Sequence, residues 1–344
     1  ELFDKYGADA TRWYLLHVSP AWSPTKFDED GLIEIVSRFF GTYKNIYNFF
    51  VLYSNSDEID ARELELDYDK RPELDRWILS KYNQLIKEVT EDMDQYDHMK
   101  SVRKIQEFVV EDFSNWYIRR ARRRFWSEEL TEDKISVYLT TYEVLVGVTK
   151  LSAPFAPFLM DEAFIKLTGE ESVHLAYYPE ADDSLVDLNV EERMDLVRTL
   201  VGLGRGVREK ERIKVRQPLN SILVDGKYED LIGDMTDLIK EELNIKEVIF
   251  EQKLDKFMDF TLRPNFKEAG PILGSKIKAF GAALAKADAA SVVETLERDG
   301  SIVLDIDGQE MAIDKELVDV KIVAKEGFTV AMENNVFVIL DTTI

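Results

Sequence analysis

The sequence predicts a multidomain, mainly α-helical protein, in which a helical bundle precedes smaller α/β and α+β regions. Apolar residues recur at helical spacing through roughly the first half of the chain. From residue 221 onward, short strand-like runs alternate with short helices and Asp-Gly turn signals. The chain has 344 residues, of which 45% are hydrophobic, and this length corresponds to two or three domains.

Residues 1–62 are predicted to be connecting helices. Gly7 separates two short helices, and a loop with Pro20 and Pro24 follows them. The next helix, residues 31–53, begins after acidic residues that suit the positive end of a helix dipole. Its predicted core face contains Ile35, Phe39, Tyr43, Ile46 and Phe50.

Residues 63–187 are predicted to form an antiparallel helical bundle with short connections. One helix opens at Pro72, a second covers residues 101–127, and Thr131 can cap a third that ends near Leu151. Residues 54–70, which lead into the bundle, are polar and are expected to be irregular.

Two prolines, Pro154 and Pro157, interrupt the helical pattern after the third helix. Because proline breaks the hydrogen-bond ladder, we expect the helix to kink and to restart near Pro157. Phe155 and Phe158 flank the kink and are predicted to be buried packing residues. Residues 182–187 are acidic and are interpreted as a linker.

Residues 188–265 are predicted to form a small α/β domain. Its first helix contains Gly202, Gly204 and Gly206, whose spacing matches neither a dinucleotide-binding nor a P-loop pattern. Gly202 and Gly206 share one face, so they are interpreted as sites of close helix packing. Residues 263–266 are interpreted as a junction to the last domain.

Residues 266–344 are predicted to form an α+β region with a small antiparallel sheet. Helical segments come first, and strands follow from residue 302. Asp307-Gly308 and Asn334-Asn335 are hairpin turn signals.

Residues 112–126, DFSNWYIRRARRRFW, are the most unusual stretch. Five of the six residues from Arg119 to Arg124 are arginine, in a chain whose formal net charge is −23. On a wheel at about 100° per residue, the core face contains Val109, Val110, Phe113, Trp116, Tyr117, Ala121 and Phe125, with Ile118 at its edge. The opposite face contains Asp112, Asn115, Arg119, Arg122, Arg123 and Trp126.

The arginines therefore fall into two groups. Arg120 and Arg124 point toward the apolar side and are expected to pair with carboxylates, because an unpaired buried charge is costly. The exposed group beside Trp126 can contact phosphates and stack on bases, or it can be a solvated face paired with the many carboxylates of the chain. Chemistry alone favours the second interpretation.

A second basic segment contains Arg208, Lys210, Arg212, Lys214 and Arg216. It alternates with Glu209 and Glu211, so internal pairing is the simpler account. Lys214, Arg216 and Gln217 are its best candidates for contact with RNA, because they leave the helix before Pro218.

Composition excludes several kinds of site. The chain has no cysteine, and His17, His98 and His174 lack metal-ligand spacing, so we expect no metal site. There is no membrane-span or signal-peptide pattern, which predicts a cytoplasmic protein. The pI of about 4.6 argues against general affinity for nucleic acid but does not exclude a local basic patch.

No catalytic constellation is present. The sequence contains no nucleophile elbow, no Walker loop and no metal-binding helix pair. We therefore expect no catalytic residue and no cofactor in the chain itself. Both ends interrupt a pattern, which predicts a fragment of a longer protein.

Five sequence blocks stand out, each present once and in this order: YGADATRWYLL, RWILSKYN, DFSNWYIRRARRRFW, LSAPFAPFLMDEAF and SVHLAYYPE. Together they span most of residues 1–180 and resemble the anticodon-binding region of class I aminoacyl-tRNA synthetases for branched aliphatic amino acids. Tyr117-Ile118-Arg119-Arg120, KVRQPL, RPNFKEAGP and the closing VILDTTI are similar to isoleucyl-tRNA synthetases. The resembled branch, found in archaea, eukaryotes and some bacteria, carries an α/β extension after the bundle.

The resemblance implies a C-terminal fragment that follows the Lys-Met-Ser-Lys-Ser loop of a parent enzyme. That parent would attach isoleucine to its tRNA with ATP and Mg²⁺, and this chain, without the catalytic and editing domains, should be inactive alone. The implied partners are isoleucine tRNA and the parent's catalytic domain, and the implied state is a monomer. The alternatives are a valyl- or leucyl-type fragment, or a non-catalytic scaffold for protein interaction.

The resemblance also makes RNA contact the favoured interpretation of the exposed cluster. Asparagine presents both a donor and an acceptor to a base edge, and tryptophan offers a stacking plane. The predicted tRNA-binding residues are Asn115, Arg119, Arg122, Arg123, Trp126, Lys214, Arg216 and Gln217.

Overall fold

The chain divides into two compact units, Glu1–Glu192 and Arg193–Ile344. The computed structural model describes residues 1–252, 257–325, 327–333 and 336–341, without the side chain of Glu297. The first unit is a helical bundle and the second combines helices with small sheets, which confirms the predicted fold class. The finer division stays a prediction: 1–62, 63–187, 188–265 and 266–344.

All regular secondary structure described in the first unit is helical, and the core of that unit is rich in aromatic residues. The helices are α1 (Leu2–Tyr6), α2 (Ala8–Val18), α3 (Glu29–Ile35), α4 (Thr42–Ser56), α5 (Glu73–Asp94), α6 (His98–Glu107), α7 (Arg119–Phe125), α8 (Glu132–Ser152) and α9 (Pro157–Thr168). Helix α10 (Leu188–Lys210) follows them. The break at Gly7 is confirmed, and so is the Thr131 cap, whose hydroxyl accepts from the Lys134 N–H at 3.2 Å.

Two segments of the first unit are π-helical, Val36–Gly41 and Phe108–Ile118. A π-helix bonds each N–H to the carbonyl five residues earlier, so residues five apart share a side. Phe108, Phe113 and Ile118 have this spacing and are all buried. Ile118, predicted at the edge of the core face, is therefore inside it.

The predicted core face of the helix after residue 31 is confirmed. All five of its residues are buried: Ile35, Phe39, Tyr43, Ile46 and Phe50. The helix also extends further than predicted, because α4 ends at Ser56 and not near Tyr53. The residues after it, predicted as irregular, contain two short 3-10 turns, Ala61–Glu63 and Tyr68–Lys70.

The predicted interruption and the restart at Pro157 are confirmed, although the helix ends completely before Pro154 and is not merely kinked. Helix α8 ends at Ser152, and α9 begins with Pro157 at its first position, where a missing N–H costs nothing. Asp9 of α2 accepts from the backbone N–H groups of Phe158 and Leu159 at 3.3 and 2.7 Å. The carboxylate therefore caps α9 from a different helix.

The segment predicted as a free linker is bound to α5. The Asp182 N–H donates to Asn83, and the Asp187 N–H donates to Ser80, each at 2.8 Å. Ser80 also hydrogen-bonds to Glu191 at the start of α10. Polar side chains on α5 supply the partners, which the composition of the segment alone does not show.

The second unit contains eight described strands and five short helices after α10. The strands are β1 (Leu219–Asp225), β2 (Ile245–Glu251), β3 (Met258–Pro264), β4 (Ser301–Ile306), β5 (Gln309–Asp314), β6 (Val318–Ala324), β7 (Phe328–Glu333) and β8 (Val336–Asp341). The helices are α11 (Glu229–Ile232), α12 (Thr236–Leu243), α13 (Phe266–Leu273), α14 (Ile277–Lys286) and α15 (Ala289–Asp299). In the segment interpreted as a junction, residues 263–266, β3 ends at Pro264 and α13 begins at Phe266.

The largest sheet has the order β2-β1-β8-β7. Strands β1 and β2 are parallel, and β8 pairs antiparallel with both β1 and β7. Strands β3 and β6 form a second ladder, and β4 and β5 form a third. The predicted small antiparallel sheet is thus two separate ladders and a mixed sheet, which joins strands from both predicted regions.

The hairpin turn at Asp307-Gly308 is confirmed between β4 and β5. Both residues have positive φ, 59° and 80°, as a two-residue turn of this kind requires. The other turn signal, Asn334-Asn335, lies outside the described residues.

The glycines of α10 differ from the prediction. A Cβ on Gly204 would meet the Leu243 side chain at 2.4 Å, whereas Gly202 and Gly206 have nothing within 4 Å. Close packing therefore occurs at Gly204 on the opposite face, where Leu243 of α12 contacts the helix.

Phe155 and Phe158 should respond differently to truncation. Phe155 is 2% exposed and packs edge-on against Trp13, whereas Phe158 is 68% exposed, so its predicted burial is wrong. We expect Phe155→Ala to lower the free energy of unfolding by about 3–5 kcal/mol and Phe158→Ala by no more than about 0.5 kcal/mol. Urea unfolding followed by circular dichroism measures both, and equal losses would contradict this placement.

Candidate nucleic-acid interface

The central helix of the first unit carries the arginine cluster at its C-terminal end. The π-helical segment Phe108–Ile118 continues directly into α7. The inward side is buried as predicted, through Val109, Val110, Phe113, Trp116, Tyr117, Ala121 and Phe125. The exposed residues are Asn115, Arg119, Arg122, Arg123 and Trp126. The predicted separation into two faces is confirmed, while the RNA role of the exposed face stays a prediction.

Arg124 lies on the inner side and forms an ion pair with Asp75 of α5. Two guanidinium nitrogens donate to the two carboxylate oxygens at 2.6 and 2.7 Å, and a third lies 2.9 Å from Asp133. Burial lowers the pKa of Arg124, but the hydrogen bond to Asp75 more than offsets this, so the pKa is raised. The predicted carboxylate partner is therefore confirmed.

Asp75 is fully buried and accepts hydrogen bonds from three side chains. Besides Arg124, it accepts from the Tyr117 hydroxyl at 2.9 Å and from the Ser136 hydroxyl. These donors come from the central helix and from α8, so one carboxylate joins three helices. Burial raises the pKa of Tyr117 well above its usual value, which keeps its hydroxyl a proton donor.

Arg120 is half-buried and is held by its own helix. Its guanidinium donates to the Trp116 carbonyl at 2.8 Å and lies 3.1 Å from the centre of the Trp116 ring, a cation–π arrangement. Its predicted pairing with a carboxylate stays a prediction. Arg120 is thus turned away from the exposed face.

The exposed face borders α4, which the sequence did not indicate as part of it. The Trp126 indole N–H donates to the Tyr53 hydroxyl at 2.7 Å, and the Arg122 guanidinium lies 5.8 Å from the Phe49 ring centre. The side-chain amide of Asn115 donates to Glu111 at 3.3 Å. Phe49 and Tyr53 are four residues apart on α4, so they share one side of that helix, and this spacing is the signal that the sequence offers.

The second basic segment is divided by burial. Lys214 and Arg216 are exposed in the loop between α10 and β1, and Gln217 is half-buried there. Arg208, grouped with them from the sequence, is 1% exposed and is not a surface residue. The segment is therefore a short exposed loop built around one buried cation.

The Arg208 side chain holds this loop through hydrogen bonds to the backbone carbonyls of the loop. Its guanidinium donates to the carbonyls of Lys214 and Gln217 at 3.1 and 3.0 Å, and to those of Leu243 and Asn244 at 2.5 and 3.2 Å. Burial lowers the pKa of Arg208, although an arginine stays protonated in proteins. The side-chain amide of Asn244 adds a bond to the Val215 carbonyl at 3.0 Å.

Among the described residues, no group of three or more His, Cys, Asp or Glu side chains is arranged to hold a metal ion. No described helix is long and apolar enough to cross a membrane.

Residues 75–223 match the family described as the anticodon-binding domain of tRNA ligase. Over its full length the chain is 41% identical to isoleucine–tRNA ligase of Cytophaga hutchinsonii, 39% to that of Porphyromonas gingivalis and 40% to that of Clostridium novyi. The chain is related, throughout, to part of the isoleucine–tRNA ligases. It covers 32%, 30% and 34% of these curated relatives, about a third of their length.

The match to the tRNA-ligase family confirms the resemblance found in the motifs. It includes α5, the central helix and α8, the three helices that meet at Asp75. A looser likeness, with a TM-score of 0.40 and 19% identity, links 54% of this chain to 21% of the LeuRS chain in an Agrobacterium radiobacter K84 LeuRS–tRNA–LeuAMS complex. That level of likeness decides nothing about the site.

Replacing Arg124 should destabilise the bundle. Arg124→Ala leaves the Asp75 carboxylate buried without its cation, so we expect a loss of about 3–5 kcal/mol in the free energy of unfolding. Arg123→Ala, one residue away and exposed, is the matched control and should cost no more than about 1 kcal/mol. Chemical denaturation compares the two, and indistinguishable midpoints would show that the pair is not a structural element.

Replacing Arg208 should loosen the loop that presents Lys214 and Arg216. Arg208→Lys keeps the charge but cannot reproduce the planar fork that reaches four carbonyls. Losing one such charged hydrogen bond, worth about 1.5–3 kcal/mol, should raise the rate of tryptic cleavage after Lys214 and Arg216 by about tenfold or more. Lys210→Ala, on the same helix and exposed, should leave that rate unchanged, and a similar rate in both variants would refute the anchoring role.

Proposed function

We propose that this chain binds the anticodon stem-loop of isoleucine tRNA through the exposed face of its central helix, as part of an isoleucine–tRNA ligase. The observation that carries the proposal is the division of the arginines. Arg124 turns inward and pairs with Asp75, whereas Arg119, Arg122, Arg123 and Trp126 are exposed. The family match of residues 75–223 supports it.

The chemistry of the exposed face suits an RNA loop. A guanidinium can donate two parallel hydrogen bonds to a phosphate. Asn115 can hydrogen-bond to a base edge, and Trp126 offers an aromatic plane to an unstacked base. In the second unit, Lys214, Arg216 and Gln217 form a second RNA-contacting segment, held in shape by Arg208.

The catalytic chemistry belongs to the parent enzyme in this proposal. The relatives extend well beyond the third that this chain covers. The parent would activate isoleucine with ATP and Mg²⁺ and transfer it to the tRNA, while this chain would contribute RNA contacts and no cofactor. The parent's catalytic domain would be its protein partner, in a cytoplasmic monomer.

The exposed arginines should change RNA affinity and its salt dependence without changing the fold. Each of Arg119→Ala, Arg122→Ala and Arg123→Ala should weaken binding to an RNA hairpin carrying the isoleucine anticodon loop. Each lost phosphate contact should reduce the slope of log K against log salt by about 0.7–0.9. The free energy of unfolding should hardly change, because exposed charges contribute little to stability.

Arg298→Ala is the matched control, since Arg298 is an exposed arginine of the second unit outside the proposed face. Fluorescence anisotropy over a range of salt concentrations gives the slopes, and thermal melts verify folding. If the three variants and Arg298→Ala have the same affinity and slope, the central helix is not the RNA-binding surface.

A further inference from the structure

Two aromatic residues of α4 pack beneath the exposed end of the central helix. The Phe49 and Tyr53 rings lie 4.8 Å apart, and they contact Phe125 at centroid distances of 5.0 and 5.9 Å. Phe125 is 1% exposed and packs edge-on against Tyr138 at 4.8 Å. The Tyr53 ring is therefore seated against the core, and its hydroxyl has a defined position.

That hydroxyl fixes the orientation of Trp126. The indole N–H of Trp126 donates to it at 2.7 Å, while 57% of the Trp126 side chain stays exposed. Trp126 directly follows α7 and is the C-cap residue of that helix. A hydrogen bond at one edge of an indole leaves the ring face open, so the plane is both oriented and accessible.

Cationic side chains lie near the aromatic residues that support this plane. Arg122 lies 5.8 Å from the Phe49 ring centre, and Arg123 is exposed on the same helix. Aromatic planes beside a basic surface are the arrangement by which proteins bind single-stranded nucleic acids. A base in a duplex is already stacked on both sides, so such a plane suits a base that is unpaired.

We propose that Phe49, Tyr53 and Trp126 form a stacking platform for one unpaired base of an RNA loop. Trp126 supplies the plane, Tyr53 is a positioning residue that holds it, and Phe49 supports Tyr53. The proposal rests on the proposed function and adds α4 to the RNA-binding surface. A ring ordered before binding spares the complex the entropy cost of ordering it.

The test uses the full 344-residue chain and RNA hairpins with the isoleucine anticodon loop, each carrying 2-aminopurine at one loop position. Stacking on an aromatic ring quenches this base, so one position should lose fluorescence on binding. Trp126→Ala should abolish that quenching and weaken binding by about 5- to 150-fold. Tyr53→Phe should reduce the quenching and weaken binding by about 2- to 12-fold.

Two comparisons separate positioning from a general loss of structure. Neither substitution removes a phosphate contact, so the salt slope should stay that of the wild type. Trp126→Phe also removes the indole N–H, so combining it with Tyr53→Phe should weaken binding no further than Trp126→Phe alone. Tyr177→Phe and Trp22→Ala are the matched controls, since both residues are exposed in the same unit.

The outcomes distinguish this inference from the proposed function. If the arginine variants weaken binding while Tyr53→Phe and Trp126→Ala behave like their controls, the platform is refuted and the RNA-binding face stands. If Tyr53→Phe lowers affinity with quenching intact, Tyr53 does not position Trp126. If the wild-type chain binds neither the hairpin nor any loop variant of it, the proposed function fails and the platform fails with it.

Discussion

The buried carboxylate of Asp75 sets the rotation of the central helix. A buried carboxylate, such as that of Asp75, requires a cationic partner and hydrogen-bond donors around it. Tyr117 and Arg124 meet it from positions seven residues apart, which is two helical turns. Once these two side chains point inward, positions 119, 122 and 123 fall on the opposite side of the helix and point outward, while Arg120 lies between the two sides on the Trp116 ring. One buried anion therefore determines which arginines are exposed.

The π-helical segment reconciles this orientation with the packing before it. Phe108, Phe113 and Ile118 are buried at a spacing of five, which a regular α-helix would spread around its circumference. The wide turn lets all three reach the core while Tyr117 still reaches Asp75. The regular α-helical wheel predicted the arginine faces correctly because the chain returns to α-helix at Arg119. It misplaced Ile118 because that residue ends the wide turn.

The sequence predicted correctly those features that depend on residues close together in the chain. Helix periodicity, the Thr131 cap and the Asp-Gly hairpin depend on neighbours in sequence, and each is as predicted. Phe155 and Phe158 have equal apolar character, yet Phe155 packs on Trp13 of α2, whereas Phe158 is exposed in the first turn of α9, which Asp9 caps. Arg208 sits among charged residues in sequence, but its four carbonyl partners come together only when the loop and the end of α12 meet. Tyr53 joins the site by the same kind of long-range contact.

The acidity of the chain bears on how such a face would select its ligand. A net charge of −23 repels phosphate at long range, and this repulsion is screened beyond about 8 Å at physiological ionic strength. Within that distance the local cluster would dominate, so on the proposed function attraction would be confined to RNA whose shape brings its phosphates and an open base to the central helix. Acidic surroundings thus disfavour indiscriminate binding to nucleic acid. Specificity then depends on geometry that the buried Asp75 pair and the Tyr53–Trp126 bond hold in place, rather than on the total charge.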